Sequence, residues 1–129
     1  MQALRLAQSG CECLHFATAL DREEARAAVP GAYIGEMDGR GIDSRQRLLS
    51  AVAEALRFPD YFGNNWDATL DCLRDFWWLE STGYVLVVTN AAELWRDCAR
   101  ELGTLVEIWL AAAGFWSEIG VPFHLVFVW

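Results

Sequence analysis

FPDYFGNNWDATLDCLRDFWW, residues 58–78, is the stretch around which the chain is organised. Pro59 opens a turn, Gly63-Asn64-Asn65 makes a small loop, and a helix is expected from about Trp66. Asn65 is a good N-cap, because its side-chain oxygen can accept a hydrogen bond from an otherwise unpaired first-turn N–H. In that register Asp67 and Asp71 lie four residues apart on one face, with Leu70 beside them. Trp66, Leu73 and Trp77 fall on another side and read as the buried stripe. Two like charges at this spacing cost a helix roughly 0.2–0.5 kcal/mol. Asp67 recovers part of that from the helix dipole, and Asp71, a turn further on, recovers less. An unfavourable acidic pair beside an aromatic loop suggests a surface kept for a partner. The plainer alternative is a solvated acidic face.

Outward from this stretch, helical and strand patterns alternate. Upstream, Glu12 to Ala19 has strand character, and Asp21 with Glu24 resembles a capping box for a short helix that Pro30-Gly31 ends. Ala32 to Met37 reads as a strand, followed by a turn at Asp38-Gly39-Arg40-Gly41. Asp43 or Ser44 then caps a helix whose apolar stripe is Leu48, Leu49, Val52, Ala55 and Leu56. Downstream, Ser81-Thr82-Gly83 breaks the chain before Tyr84 to Thr89, a nearly continuous apolar run that implies a strand covered on both faces. Asn90, with Glu93, is expected to cap a helix with Leu94, Cys98 and Trp95 inward. Gly103-Thr104 marks a break, and Thr104 to Glu107 forms a capping box for a last helix with Leu105, Ile108, Trp109 and Ala112 inward. Gly114 closes that helix or a turn soon after it, and Val121 to Trp129 is the final strand, with Pro122 at its start. Such alternation implies an α/β fold with a mostly parallel sheet.

Composition bounds the function. A chain of 129 residues with 54% hydrophobic content, seven Trp and seven Phe makes one domain, 1–129, with a substantial core. No run of eighteen apolar residues suggests a membrane span, and MQALRLAQSGCECLHF lacks the apolar core of a signal peptide. The net charge of −8 argues against nucleic acid as a ligand and for a cationic partner. From Asp60 to Glu80 there are five acids (Asp60, Asp67, Asp71, Asp75, Glu80) against one base, Arg74, a net of −4. Four cysteines in a chain this apolar do not make a disulfide framework, which fits a reducing cytoplasm. Cys11-x-Cys13 has neither the usual zinc spacing nor a second ligand pair. His15 and His124 lie in expected strands without a Ser, Cys or acid at catalytic spacing, and no phosphate-binding glycine loop is present. No catalytic residue, cofactor or metal is expected.

FPDYFGNNWDATLDCL (58–73) resembles the signature of the barstar family of intracellular ribonuclease inhibitors: Pro, an aromatic pair, Gly, Asn, Asp, Asp and Cys all fall in register. The rest of 32–129 follows in the order of its elements. The resemblance implies a three-stranded parallel sheet packed with helices, with strands at 32–37, 84–89 and 121–129. Residues 1–31 then form an added N-terminal strand-helix unit that can extend a sheet edge. It also implies that the loop and following helix plug the basic active site of a ribonuclease. Carried over by position, partner contacts fall on Tyr61, Gly63, Asn65, Asp67, Leu70 and Asp71. The family's acidic contact from its last helix has no matching position here; Glu107 is the nearest acid and the candidate for an additional contact, and its place in the capping box explains it without a partner. Some features depart from the family. Phe62 stands where a second tyrosine can occur, and Leu70 where a larger aromatic can. Arg74 could pair with Asp67 or Asp71.

The chemistry of the residues agrees with that implication. A carboxylate on a rigid helix can occupy a phosphate position in a nuclease cleft and accept paired hydrogen bonds from a guanidinium. Asp71 is the first choice for that role and Asp67 the second, while Tyr61 offers a stiff aromatic anchor. Gly63 either lets the backbone approach the partner or permits positive φ in the turn. Two other functions compete: an acidic protein-binding module that inhibits no nuclease, and a small hydrolase using Asp67 and Asp71 as a carboxylate pair.

Overall fold

The structure is a computed structural model, which describes residues 13–18, 22–60 and 63–129. Four strands, β1 (Leu14–Ala17), β2 (Tyr33–Asp38), β3 (Tyr84–Thr89) and β4 (Phe123–Val128), alternate with α1 (Arg22–Ala28), α2 (Arg45–Ala55), α3 (Trp66–Asp75) and α4 (Ala91–Glu118); α2 and α3 both lie between β2 and β3. All strand pairs are parallel, in the order β1-β4-β3-β2. The sheet therefore has four strands, not the three that the resemblance implies. The added N-terminal unit supplies the fourth, with Leu14 in register with Leu125 at the edge of β4. Asp21, the proposed first residue of the α1 capping box, lies outside the described residues.

The two central strands are β3 and β4, and they are buried on both faces, as their nearly continuous apolar sequences, interrupted in β4 by the buried His124, lead one to expect. Side-chain alternation splits β3 between two cores. Val85 and Val87 join Ala25 of α1 and Val29 just after it on one side. Leu86 and Val88 join Leu48, Val52, Leu73, Leu94, Leu105 and Trp109 of the other three helices on the opposite side. His15 and His124, on neighbouring strands, are buried and hydrogen-bonded to each other, Nε2 to Nδ1 at 2.9 Å. Among the described residues no helix is long and apolar enough to cross a membrane.

The helices differ from expectation at identifiable places. α2 is capped by Ser44, whose hydroxyl accepts from the Arg47 N–H, and of its expected stripe Leu48, Leu49, Val52 and Leu56 are buried while Ala55 is half-buried. α4 does not break at Gly103-Thr104. It runs through both and is kinked at Cys98 instead, where φ is −144° and ψ 33°. A glycine costs a helix interior about 1 kcal/mol. Continuing the helix buries Leu102 and Leu105 completely, each worth roughly 1.5–3 kcal/mol. Thr104 accordingly bonds back to the Arg100 carbonyl rather than forward as a cap, and Glu107 is an exposed mid-helix side chain. Gly114 is passed as well. The helix ends at Glu118, and Gly120 (φ +73°) turns the chain: the N–H groups of Gly120 and Val121 bond to the Ser117 and Trp116 carbonyls in a Schellman arrangement.

Trp77 is not part of the buried stripe. α3 stops at Asp75 because Phe76 adopts a left-handed conformation (φ 49°). That turn sends Phe76 into the core, stacked on Tyr84 with centroids 4.3 Å apart, and leaves Trp77 63% exposed.

Candidate functional site

The site is assembled from the end of α2, the loop that follows it, and α3. α2 ends in a Schellman arrangement without glycine: Arg57 is left-handed (φ 54°), its N–H bonds to the Glu54 carbonyl, and the Phe58 N–H bonds to that of Ala53. The next two carbonyls are met by side chains. The Tyr33 hydroxyl donates to Ala55 at 2.6 Å, and the Trp78 indole N–H donates to Leu56 at 3.1 Å. The helix end is thus closed at every acceptor from Ala53 to Leu56.

At the far end of the loop, Asn65 has extended backbone (φ −141°, ψ 169°), and its Oδ1 accepts from the Ala68 N–H at 2.7 Å. The same amide donates through Nδ2 to the Gly63 carbonyl at 3.3 Å. The cap expected from sequence is present, and it also fastens the preceding turn. The positive φ in this turn belongs to Asn64 (52°), not to Gly63. A Cβ at Gly63 would lie 3.2 Å from the Asn65 amide nitrogen, so this glycine serves close approach within the turn.

From this start α3 buries Thr69, Cys72 and Leu73, and packs chiefly on α4. The Trp116 indole N–H donates to the Leu73 carbonyl at 2.7 Å, holding the two helices together near their C-terminal ends. The face turned away from the core carries Asp67, Asp71 and Arg74, all exposed, with Asp75 also exposed at the helix end. Leu70 is half-buried and packs against the core cluster, so it stands on the shoulder of this face. Among the described residues neither aspartate makes an ion pair or side-chain hydrogen bond. Arg74 pairs with neither of them. Cys72 lies beneath the acidic face; burial, reinforced by the charges of Asp71 and Asp75, pushes its thiol up to about 11. It is a protonated, unreactive filler.

Of the residues singled out from sequence, Gly63, Asn65, Asp67, Leu70 and Asp71 are brought together on one loop and helix. Tyr61, together with Phe62, lies outside the described residues. Glu107 is on α4, exposed and free of the capping role expected for it. Among the described residues no group of three or more His, Cys, Asp or Glu side chains could hold a metal ion. Sequence reasoning missed the three aromatic donors, Tyr33, Trp78 and Trp116. Their acceptors are 22 to 43 residues away, and no local pattern announces such bonds.

A family model described as Barstar (barnase inhibitor) matches residues 33–128. The chain belongs to the barstar family. The match begins at the first residue of β2 and ends at the last of β4, so β1 and α1 stand outside it. The barstar-like part contains the whole loop and acidic helix. No curated protein matches the chain.

Proposed function

We propose that this barstar-family chain is a stoichiometric protein inhibitor of a basic ribonuclease and covers its active site with the loop and helix 58–75. The observation that carries this reading is the outer face of α3, where Asp67 and Asp71 stand exposed and, among the described residues, no arginine engages them. Two carboxylates on a rigid helix offer a nuclease cleft what RNA phosphates offer it: fixed negative charge and acceptors for the paired N–H groups of arginine. Asp71 takes the central position and Asp67 the flanking one. Gly63 and Asn65 present the loop edge, Tyr61 is a further partner contact by its position in the family signature, and Leu70 adds apolar contact from the shoulder. Glu107 is a further acidic contact from α4. The net charge of −8 speeds encounter with a cationic enzyme and makes association sensitive to salt. The chain performs no catalysis in this role, needs no cofactor, and acts in the reducing cytoplasm of the cell that it protects.

The experiment is capture of partners on the immobilised chain from the source cell and its competitors, followed by an RNA-cleavage assay on whatever binds. A ribonuclease that loses activity at one equivalent of the chain is the expected result. A partner that binds but keeps cleaving RNA would make the chain a binding module without inhibition. RNA or ester hydrolysis by the chain alone, lost in Asp67→Asn, would make it a hydrolase.

A further inference from the structure

We infer that Trp78 is a positioning residue for the partner-binding loop, a role that rests on the inhibitor reading above. Trp78 lies in the turn after α3, at the opposite end of that helix from the loop in sequence. Its indole nevertheless reaches the loop's root. The N–H donates to the Leu56 carbonyl at the end of α2, and the ring meets Phe58 edge to face, with centroids 6.0 Å apart. On its other side the ring lies against Phe76, the residue that terminates α3, at 5.4 Å. One side chain therefore bridges the point where the loop leaves α2 and the point where the acidic helix ends.

Together with Asn65, this makes the loop a segment fixed at both ends. Asn65 ties its exit to the first turn of α3, and Trp78 ties its entry to the last. The described ends of the loop, Phe58 on one side and Gly63 to Asn65 on the other, are then held on the same scaffold as the acidic face, and a partner need not order them on binding. That ordering would otherwise cost affinity. Tyr33 supports the same root more weakly, through its hydroxyl on the neighbouring Ala55 carbonyl. The adjacent Trp77 is largely exposed and meets Trp78 edge to face, with centroids 5.9 Å apart.

The test compares Trp78→Phe, Tyr33→Phe and a remote destabilising control, Val126→Ala in the α1-side core. Two quantities are read: the Kd for the cognate ribonuclease, under conditions where every variant is folded, and amide hydrogen exchange across residues 57–68 of the free chain. Loss of one positioning hydrogen bond is expected to raise Kd about five- to tenfold in Trp78→Phe and less in Tyr33→Phe. Both variants should quicken exchange in the loop, whereas Val126→Ala should change neither quantity there. Equal effects of Trp78→Phe and Val126→Ala on Kd, or unaltered loop exchange in Trp78→Phe, would overturn the role. Should Trp78→Phe fail to fold, Phe58→Leu, which removes the ring that Trp78 meets at the loop's root, decides by the same two readings. If no ribonuclease binds the unmodified chain, the inhibitor reading fails by itself, and loop exchange in the free chain still shows whether Trp78 holds the loop.

Discussion

Two asparagines stand immediately before helices in this chain, and they do different things. Asn65 has extended backbone, and its side chain turns into the first turn of α3, where the Ala68 N–H finds its oxygen. Asn90 is left-handed (φ 52°, ψ 41°) and makes no side-chain cap on α4 at all. Its amide nitrogen donates instead to Asp38 at 3.0 Å, across to the end of β2. The cause is crowding at the strand ends. Gly39 packs so closely that a Cβ there would lie 2.8 Å from the Asn90 carbonyl oxygen and 2.9 Å from Leu94. α4 leaves β3 within one residue, and the left-handed Asn90 makes that turn. Asparagine tolerates this conformation better than most side chains. A capping residue in the sequence therefore states what a side chain can do; the distance between strand and helix decides whether it does so. Asn65 has a loop before it and is free to cap.

Paired substitutions sharpen this contrast. Asn65→Ala removes the cap and the bond to Gly63, and should lower stability by about 1 kcal/mol, up to about 2, in a denaturant titration. Asn90→Gly removes no cap and relieves a left-handed residue, so its change should stay within a few tenths of a kcal/mol. Equal losses at both sites would contradict the distinction. Gly103→Ala tests the other half of the α4 description. Because Gly103 is helical, with nothing within 4 Å of a Cβ built there, alanine should stabilise the chain by about 0.5–1 kcal/mol. A helix break at 103 would give a loss instead.

The smallest effect is a pH dependence at Asp38. Hydrogen bonds from the Arg40 guanidinium and backbone N–H, with help from Asn90, lower its carboxyl from the ordinary 3.8 to about 2. A lowered folded-state value means that the contribution is present above pH 3.8 and is lost as pH falls through about 2. The pair is solvent-exposed, so less than about 1 kcal/mol is at stake. Chemical denaturation from pH 5 to pH 2 should show the difference between the unmodified chain and Asp38→Asn shrinking toward zero. A difference that grew with acid would reverse the sign.

Much of the fold was legible because it rests on local patterns. The apolar runs of β3 and β4, the α2 stripe and the Asn65 cap each depend on neighbours in sequence, and each is present. What escaped depends on distant groups. Gly103 reads as a break until the burial of Leu102 and Leu105 is weighed against it. Trp77 reads as core until Phe76 turns left-handed and takes its place. β1 could be recognised as a strand, but its place beside β4 is set by pairing across more than a hundred residues. At the candidate site the aspartates were legible from spacing and resemblance. The aromatic donors that hold their platform were not, because indole and phenol N–H and O–H groups choose acceptors by proximity in space.

Calorimetric titration of the cognate ribonuclease with the unmodified chain and with Asp71→Ala probes the acidic face most directly. Truncating one partner of a buried, hydrogen-bonded charge pair costs about 2–5 kcal/mol, a range to which the barstar family's own type complex contributes. A loss of at least about 2 kcal/mol, with the variant's melting temperature nearly unchanged, is the predicted result. A loss of less than about threefold in Kd, under 1 kcal/mol, would contradict the assignment of Asp71 as the carboxylate that occupies a phosphate position.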